Sequence, residues 1–127
     1  SIIKTMGDSI MAAFRDPVSA VKAIWVVQKQ LSARGEPPLS IKAGIHYGPC
    51  IVVNLNDRLD YFGSTVNIAA RLPHFSQGGE AILSEPIRND PEVLEFLAKN
   101  AAPNSLTRFQ SEIRGFDSSM ELWKIKM

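Results

Sequence analysis

The chain has 127 residues, of which 45% are hydrophobic and 21% charged, so it suits one globular domain and is too apolar to be disordered. Its 14 basic and 13 acidic side chains give a net charge of +1, which argues against a nucleic-acid-binding surface or a polybasic membrane patch. One cysteine, Cys50, excludes an internal disulfide and favours a cytoplasmic location. No apolar run is long enough to cross a bilayer, so we expect no membrane contact by this segment.

The first part of the chain predicts a β-hairpin followed by a helix. Two short apolar runs flank Gly-Asp-Ser at residues 7–9, and Gly and Asp at such a junction are typical of a tight turn. Asp16 and Pro17 then suit the N-cap and the first position of a helix. Apolar residues recur there at helical spacing, and Gln28 is expected on the side that faces water.

The remainder of the chain predicts further strands and helices. Strands are expected at residues 40–46, 51–55, 80–84, 107–113 and 120–126, and helices within residues 60–72 and 86–100. The resulting order, ββαββαβαββ, is typical of an α+β domain with a largely antiparallel sheet and helices packed against it.

Residues 60–72 are the segment around which a site is most easily built. They predict a short loop that runs into a helix, with Gly63 before the helix and Pro73 after it. Either Ser64 or Thr65 is expected to cap the first turn by accepting a hydrogen bond from a backbone N–H group.

Three polar side chains in this segment could form a binding site. Asn67 and Arg71 are four residues apart and so share a helix face, and Asp60 stands just before the helix. A carboxylate, an amide and a guanidinium could hold the base, the sugar and the phosphate of a nucleotide. An ordinary solvated helix face would show the same spacing, so these residues alone leave both interpretations open.

The hairpin carries two more candidates, Lys4 and Asp8. Lys4 is a single charge inside an apolar strand, and Asp8 lies at the predicted turn. Lysine often marks an edge strand and aspartate is a favoured turn residue, so each has an ordinary structural explanation as well. His46 and His74 have no second ligand at a useful spacing and are expected to be packed or surface histidines.

Taken together, four segments resemble the catalytic domain of the class III adenylate and guanylate cyclases. They are KTMGDSIMAAF (residues 4–14), KAGIHYG (42–48), DYFGSTVNIAARL (60–72) and EIRGFD (112–117). The resemblance covers the chain almost end to end. It implies a ferredoxin-like α+β fold with a mostly antiparallel sheet and flanking helices. It also implies the two-metal cyclisation of a nucleoside triphosphate.

The resemblance also implies a role for each candidate residue. Lys4 and Asp60 would read the purine, Asn67 would orient the ribose, and Arg71 would stabilise charge on the phosphate under attack. Arg114 stands where the family usually has a lysine that contacts the terminal phosphates. Asp8 would hold two Mg²⁺ or Mn²⁺ ions together with a second aspartate.

The Lys4 and Asp60 pair predicts ATP rather than GTP as the substrate. Adenine offers an N6 donor, from which Asp60 can accept, and an N1 acceptor, to which Lys4 can donate. Guanine has an acceptor at O6 and a donor at N1. Asp60 would therefore face an acceptor and Lys4 would face a donor, and such a mismatch can discriminate strongly between the two bases. We therefore expect an adenylate cyclase that makes cyclic AMP and pyrophosphate.

One part of the family pattern has no match in this sequence. The family's first metal aspartate lies on a strand before the hairpin and is followed by one or two helices. We expect residues 1–127 to be a partial catalytic domain that lacks this strand and these helices, and to be inactive or nearly so alone. Family members work as dimers with sites at the subunit interface, so a homodimer is expected. The alternative is a non-catalytic nucleotide-binding or dimerisation domain with the cyclase fold.

Overall fold

The structure is a computed structural model that describes residues 2–6, 8–34, 39–55, 58–115 and 119–127. It contains eight strands, four α-helices and a 3₁₀ turn within these ranges. In chain order they are β1 (Ile2–Met6), β2 (Ser9–Ala12), α1 (Pro17–Ser32), β3 (Lys42–Ile45), β4 (Ile51–Leu55), β5 (Arg58–Phe62), α2 (Ser64–Arg71), the 3₁₀ turn (Leu72–Phe75), β6 (Glu80–Ser84), α3 (Glu85–Arg88), α4 (Pro91–Asn100), β7 (Leu106–Glu112) and β8 (Ser119–Lys126).

A four-stranded sheet in the order β3-β6-β8-β7 forms the centre of the fold. β3 and β6 run parallel, and the β6–β8 and β8–β7 pairs are antiparallel. Two antiparallel hairpins, β1–β2 and β4–β5, complete the strands, and β1 lies against β5. The predicted α+β class with a mostly antiparallel sheet and flanking helices is confirmed.

Both faces of the sheet are buried, because β6 is covered along its whole length. On one face α1 and α4 pack over residues that include Leu83, Trp123 and Ile125. On the other face the 3₁₀ turn packs through Leu72 against a smaller cluster that contains Ile82 and Ile113. Burying one such aliphatic side chain contributes about 1.5–3 kcal/mol. The two clusters hold the helices that carry the candidate site in place.

Helix α1 begins as the sequence predicts. Asp16 is the N-cap and accepts a hydrogen bond from the backbone N–H of Ser19 at 3.0 Å, with Pro17 as the first helical residue. The predicted position of Gln28 is wrong, because its side chain is buried and its Oε1 atom accepts from the backbone N–H of Ile41 at 2.9 Å. Gln28 thereby ties the helix to the segment that leads into β3.

Strand β5 corrects the sequence prediction of a loop before α2. Asp60 lies at the middle of this strand, opposite Val53 of β4. The strand is short, and its acidic residue interrupts the run of Leu59, Tyr61 and Phe62, so the sequence carries only a weak strand signal there. Pairing with β4 supplies the backbone hydrogen bonds that make it a strand.

The predicted cap of α2 is also wrong. Gly63 is the N-cap, with a φ of 124°, and no side chain caps the helix. Ser64 is the first helical residue, and the hydroxyl of Thr65 donates to the carbonyl oxygen of Pro49. The hydroxyl of Thr65 thus links α2 to the loop before β4 and does not cap the helix.

The predicted helix over residues 86–100 is two helices, α3 and α4. Asp90 ends the first segment and caps the second by accepting hydrogen bonds from the backbone N–H groups of Glu92 and Val93. Pro91 occupies the first position of α4. None of the helices in the described ranges combines the length and the apolar character that a bilayer crossing requires.

Candidate nucleotide site

Arg71 is the last residue of α2, and the fold fixes its position closely. α2 packs against β3 and β5, and the 3₁₀ turn that follows it packs against β3 and β6. A Cβ atom at Gly44 of β3 would lie 2.5 Å from the Cβ of Leu72 and 2.7 Å from the Cδ of Pro73. A glycine at position 44 therefore lets the end of α2 lie directly on the sheet.

Arg71 and Arg114 line the same cavity, which has a volume of about 270 Å³. Arg71 is partly buried, and Arg114 is exposed in the turn that follows β7. Two guanidinium groups on one small cavity form a favourable environment for an anion with several oxygen atoms, such as a phosphate chain. The structure thus brings together the two arginines that the sequence assigned to phosphate.

His74 and Glu112 line this cavity as well, and neither residue was expected there from the sequence. His74 is an exposed histidine, as predicted, and lies three residues after Arg71, where the 3₁₀ turn continues the helix direction. Glu112 ends β7, and Arg114 lies in the turn that follows the strand. The nearness of Glu112 to Arg114 in the sequence could have indicated it, whereas the position of His74 depends on how the 3₁₀ turn packs on the sheet.

Asp60 and Lys4 lie on strands that are in contact, β5 and β1. Asp60 is half-buried, and its Oδ1 atom accepts a hydrogen bond from the backbone N–H of Tyr61 at 2.8 Å. The backbone of Lys4 pairs with Met11, and its side chain lies outside the described residues. The topology thus places the backbones of the two residues assigned to the purine on adjacent strands.

Asn67 is exposed on α2, one turn before Arg71 and so about 6 Å from it along the helix axis. It does not line the cavity with Arg71 and Arg114. Its side chain is on the same helix face as Arg71, so a ligand that extends beyond the cavity along α2 could reach it.

Asp8 is exposed in the turn between β1 and β2. No group of three or more His, Cys, Asp or Glu residues that could hold a metal ion occurs in the part of the chain that the structure describes. Mg²⁺ and Mn²⁺ need several oxygen ligands, so the carboxylate of Asp8 does not by itself make a site for either ion. The described residues therefore do not fit a complete metal centre.

His46 has a structural environment rather than a ligand-binding one. Its Nδ1 atom and the hydroxyl of Ser84 form a hydrogen bond of 2.6 Å. Burial lowers the pKa of the ring, since the charged form loses hydration there. Of the two alternatives predicted for this residue, a packed or a surface histidine, this contact fits the packed one.

The sequence profile of the adenylate and guanylate cyclase catalytic domain family matches residues 1–125. The chain is 32% identical over 109 residues to an adenylate cyclase of Lachancea kluyveri, covering 65% of this chain and 6% of that protein. It is 29% identical over 109 residues to an adenylate cyclase of Mycosarcoma maydis, covering 67% of this chain and 4% of that protein.

Among solved structures, an adenylate/guanylate cyclase/hydrolase from Silicibacter pomeroyi has the same fold, with a TM-score of 0.75 at 21% identity. The match covers 99% of this chain and 70% of that one.

The fold places two arginines at one cavity and matches that of a cyclase domain. The chain belongs to the class III adenylate and guanylate cyclase catalytic domain family. It spans less than a tenth of the length of the two curated relatives, which are much longer proteins.

Proposed function

We propose that this domain supplies the substrate-binding half of an adenylate cyclase, which converts ATP to 3′,5′-cyclic AMP and pyrophosphate in intracellular signal transduction. The observation that carries the proposal is the shared cavity of Arg71 and Arg114. The membership of the cyclase family and the names of the two adenylate cyclase relatives support it.

The proposed reaction needs binding, orientation and charge stabilisation from the protein. The ribose 3′-oxygen attacks the α-phosphorus, the bond to the pyrophosphate oxygen breaks, and the hydroxyl proton is released. Negative charge on the phosphate oxygens is stabilised by the guanidinium of Arg71, and Arg114 binds the leaving phosphates. Asn67 orients the ribose so that its hydroxyl is in line with the bond that breaks.

Specificity for adenine is assigned to Lys4 and Asp60. The contact between β1 and β5 supports a joint role, because it puts the two residues on neighbouring strands. Asp60 would accept from the N6 amino group and Lys4 would donate to N1, whereas guanine would place a like group against each.

The complete site needs groups in addition to those of the described residues. We propose that the domain works as a homodimer, and that Asp8 contributes one carboxylate to a Mg²⁺ or Mn²⁺ site with further ligands from outside these residues. The proposal places the domain in the cytoplasm, where the exposed thiol of Cys50 stays reduced.

A second candidate is nucleotide binding without turnover. The observation that favours it is that the part of the chain described here contains no cluster of three or more acidic, histidine or cysteine residues that could hold a metal ion. Both candidates share the phosphate cavity, and they differ in whether cyclic AMP is formed.

Calorimetric titration of the full chain with ATP, with and without Mn²⁺, tests the binding that both candidates share. We expect Arg71→Gln and Arg114→Gln each to weaken ATP binding roughly tenfold or more, because each removes a charge-assisted contact to phosphate. Arg34→Gln is the matched control, since Arg34 is an exposed arginine away from the cavity. Equal ATP affinity in all three variants would contradict the proposed site.

An assay for cyclic AMP then separates the two candidates. We expect the 127-residue chain alone to form essentially none, and a longer protein with the additional carboxylate to form it with Mn²⁺ present. Loss of that activity in the Arg71→Gln variant of the longer protein would support catalysis. Binding of ATP without any product in the longer protein would favour the second candidate.

A further inference from the structure

A second cavity, of about 590 Å³, lies between α3, α4 and the strands β7 and β8. Its walls combine apolar residues, which include Leu97, Leu106 and Ile125, with the polar residues Arg88, Asn104 and Ser105. A volume in this range is ordinary for a small-molecule site. None of the residues assigned to the nucleotide lines it.

Arg88 is the one residue with a charged side chain among the described residues that line this cavity. Its side chain is partly buried, and its guanidinium lies over the ring of Trp123, 5.7 Å from the ring centroid. A guanidinium at this distance from an aromatic ring is attracted to the ring electrons. The contact with Trp123 therefore helps to hold the cation at the cavity wall.

The polar atoms of Arg88 are incompletely satisfied. Its Nε atom is buried and has no hydrogen-bond partner, and no carboxylate of the described residues pairs with the guanidinium. Buried polar groups are rarely left without partners, because the loss of hydration is costly. Since Nε is closed to solvent, an anionic ligand in the cavity would meet the terminal N–H groups of this partly buried cation.

This cavity is separate from the proposed phosphate cavity. Leu106 begins β7 and lines the larger cavity, whereas Glu112 ends the same strand and lines the smaller one. The strand between them spans about 20 Å at its usual rise per residue. The linings also belong to opposite faces of the sheet, with Ile125 in the larger core cluster and Ile113 in the smaller one.

We propose that this second cavity binds a small monocarboxylate with an apolar body, its carboxylate paired with Arg88 and its body against Leu97, Leu106 and Ile125. One cation matches one negative charge, whereas a polyphosphate would leave most of its charges unpaired in a lining with one charged residue. The carboxylate accepts two parallel hydrogen bonds from the guanidinium, the geometry in which arginine binds such groups most strongly.

The test uses octanoate as the probe and octanamide as its uncharged match. Heteronuclear NMR of the full chain, titrated with each, is expected to show saturable shifts at Leu97, Leu106 and Trp123, with octanoate bound about tenfold more tightly. We expect Arg88→Gln to remove this preference and Arg34→Gln to retain it. ATP at saturation is expected to leave octanoate binding in place, so a failure of the proposed cyclase function would not affect the result.

A second variant tests the cavity without changing its charge. Ala98 is an exposed residue of α4 that lines the cavity, so Ala98→Leu keeps a good helix former and reduces the free volume. It is expected to weaken octanoate and octanamide alike by several-fold. The proposal would be overturned by non-saturable shifts, by equal affinity for the two probes, by displacement of octanoate with ATP, or by an unchanged preference in Arg88→Gln.

Discussion

His46 follows β3 and Ser84 is the last residue of β6, the neighbouring parallel strand, and their side chains are joined by a 2.6 Å hydrogen bond. Burial lowers the pKa of His46 from its ordinary value of 6.5, so the folded chain binds this proton less readily than the unfolded chain. The contribution of the neutral ring to stability is fully present above pH 6.5, the pKa of the unfolded chain. It is lost as the pH falls through the lower pKa of the folded chain.

We therefore expect the free energy of unfolding, measured by urea denaturation, to decrease from pH 7 to pH 5. His46→Gln should reduce this decrease, because it removes the titrating group. His74→Gln is the matched control at an exposed position and should retain the decrease. A pH dependence that is identical in the wild type and in His46→Gln would show that His46 does not cause it.

Lys4 carries a prediction about base choice. Replacing its donor by an acceptor in Lys4→Glu should weaken ATP binding roughly tenfold or more and shift the preference towards GTP, because guanine offers a donor at N1. Competition titrations with the two nucleotides measure this ratio. Lys42→Glu makes the same charge change at an exposed position of β3. If both variants change ATP and GTP affinity equally, net charge rather than base contact is responsible.

At the scale of elements, the close packing of the 3₁₀ turn on β3 controls where Arg71 lies. A side chain at position 44 would meet the side chains of Leu72 and Pro73 at 2.5 and 2.7 Å, and the carbonyl oxygen of Ala69 at 3.1 Å. A change of side-chain rotamer moves neither the Cβ of Leu72 nor the backbone carbonyl of Ala69, so it would not relieve these contacts. The 3₁₀ turn and the end of α2 would have to move together.

Gly44→Ala is therefore expected to lower the free energy of unfolding by about 1–3 kcal/mol and to weaken ATP binding through displacement of Arg71. Chemical denaturation and calorimetric titration measure the two effects. Gly79→Ala provides a comparison, because Gly79 has a φ of 70° and no atoms near its missing side chain. It should cost stability through backbone strain and leave ATP affinity unchanged. ATP affinity that is normal in folded Gly44→Ala would contradict this coupling.

Over the whole molecule, large apolar side chains are exposed on the two hairpins and near them. Ile10 of β2 and Ile51 of β4 are each 65% exposed, and Val52 is 52% exposed. Exposed apolar residues that lie close together are characteristic of protein interfaces. β1 and β5 are in contact, so the two hairpins that carry these residues are neighbours.

We expect the full chain to self-associate through this surface, and Ile51→Glu to shift it towards the monomer in sedimentation velocity. Leu39→Glu is the control, because Leu39 is 57% exposed but precedes β3 and belongs to neither hairpin. The same distribution of species in Ile51→Glu and the wild type would exclude this surface as the dimer contact.

Local chemistry made the start of α1 and the last two strands predictable, because an Asp-Pro cap and a strand pattern act over a few residues. Strand β5 and the position of Gln28 could not be predicted in the same way. A neighbouring strand stabilises β5, and the backbone N–H of Ile41 provides the partner for Gln28. Both partners lie elsewhere on the chain, so the pattern near each residue does not reveal them.

The sequence by itself determined the α+β class, the family and the residue types of the candidate site, since the class follows from the order of the predicted elements and the other two from the resemblance of four segments to a known family. Tertiary structure alone decided that Arg71 and Arg114, 43 positions apart in the chain, share a cavity with His74 and Glu112. It also placed Arg88 over Trp123 at a second cavity. Contacts between distant segments depend on how the helices pack on the sheet, and packing is a property of the whole fold rather than of any one segment.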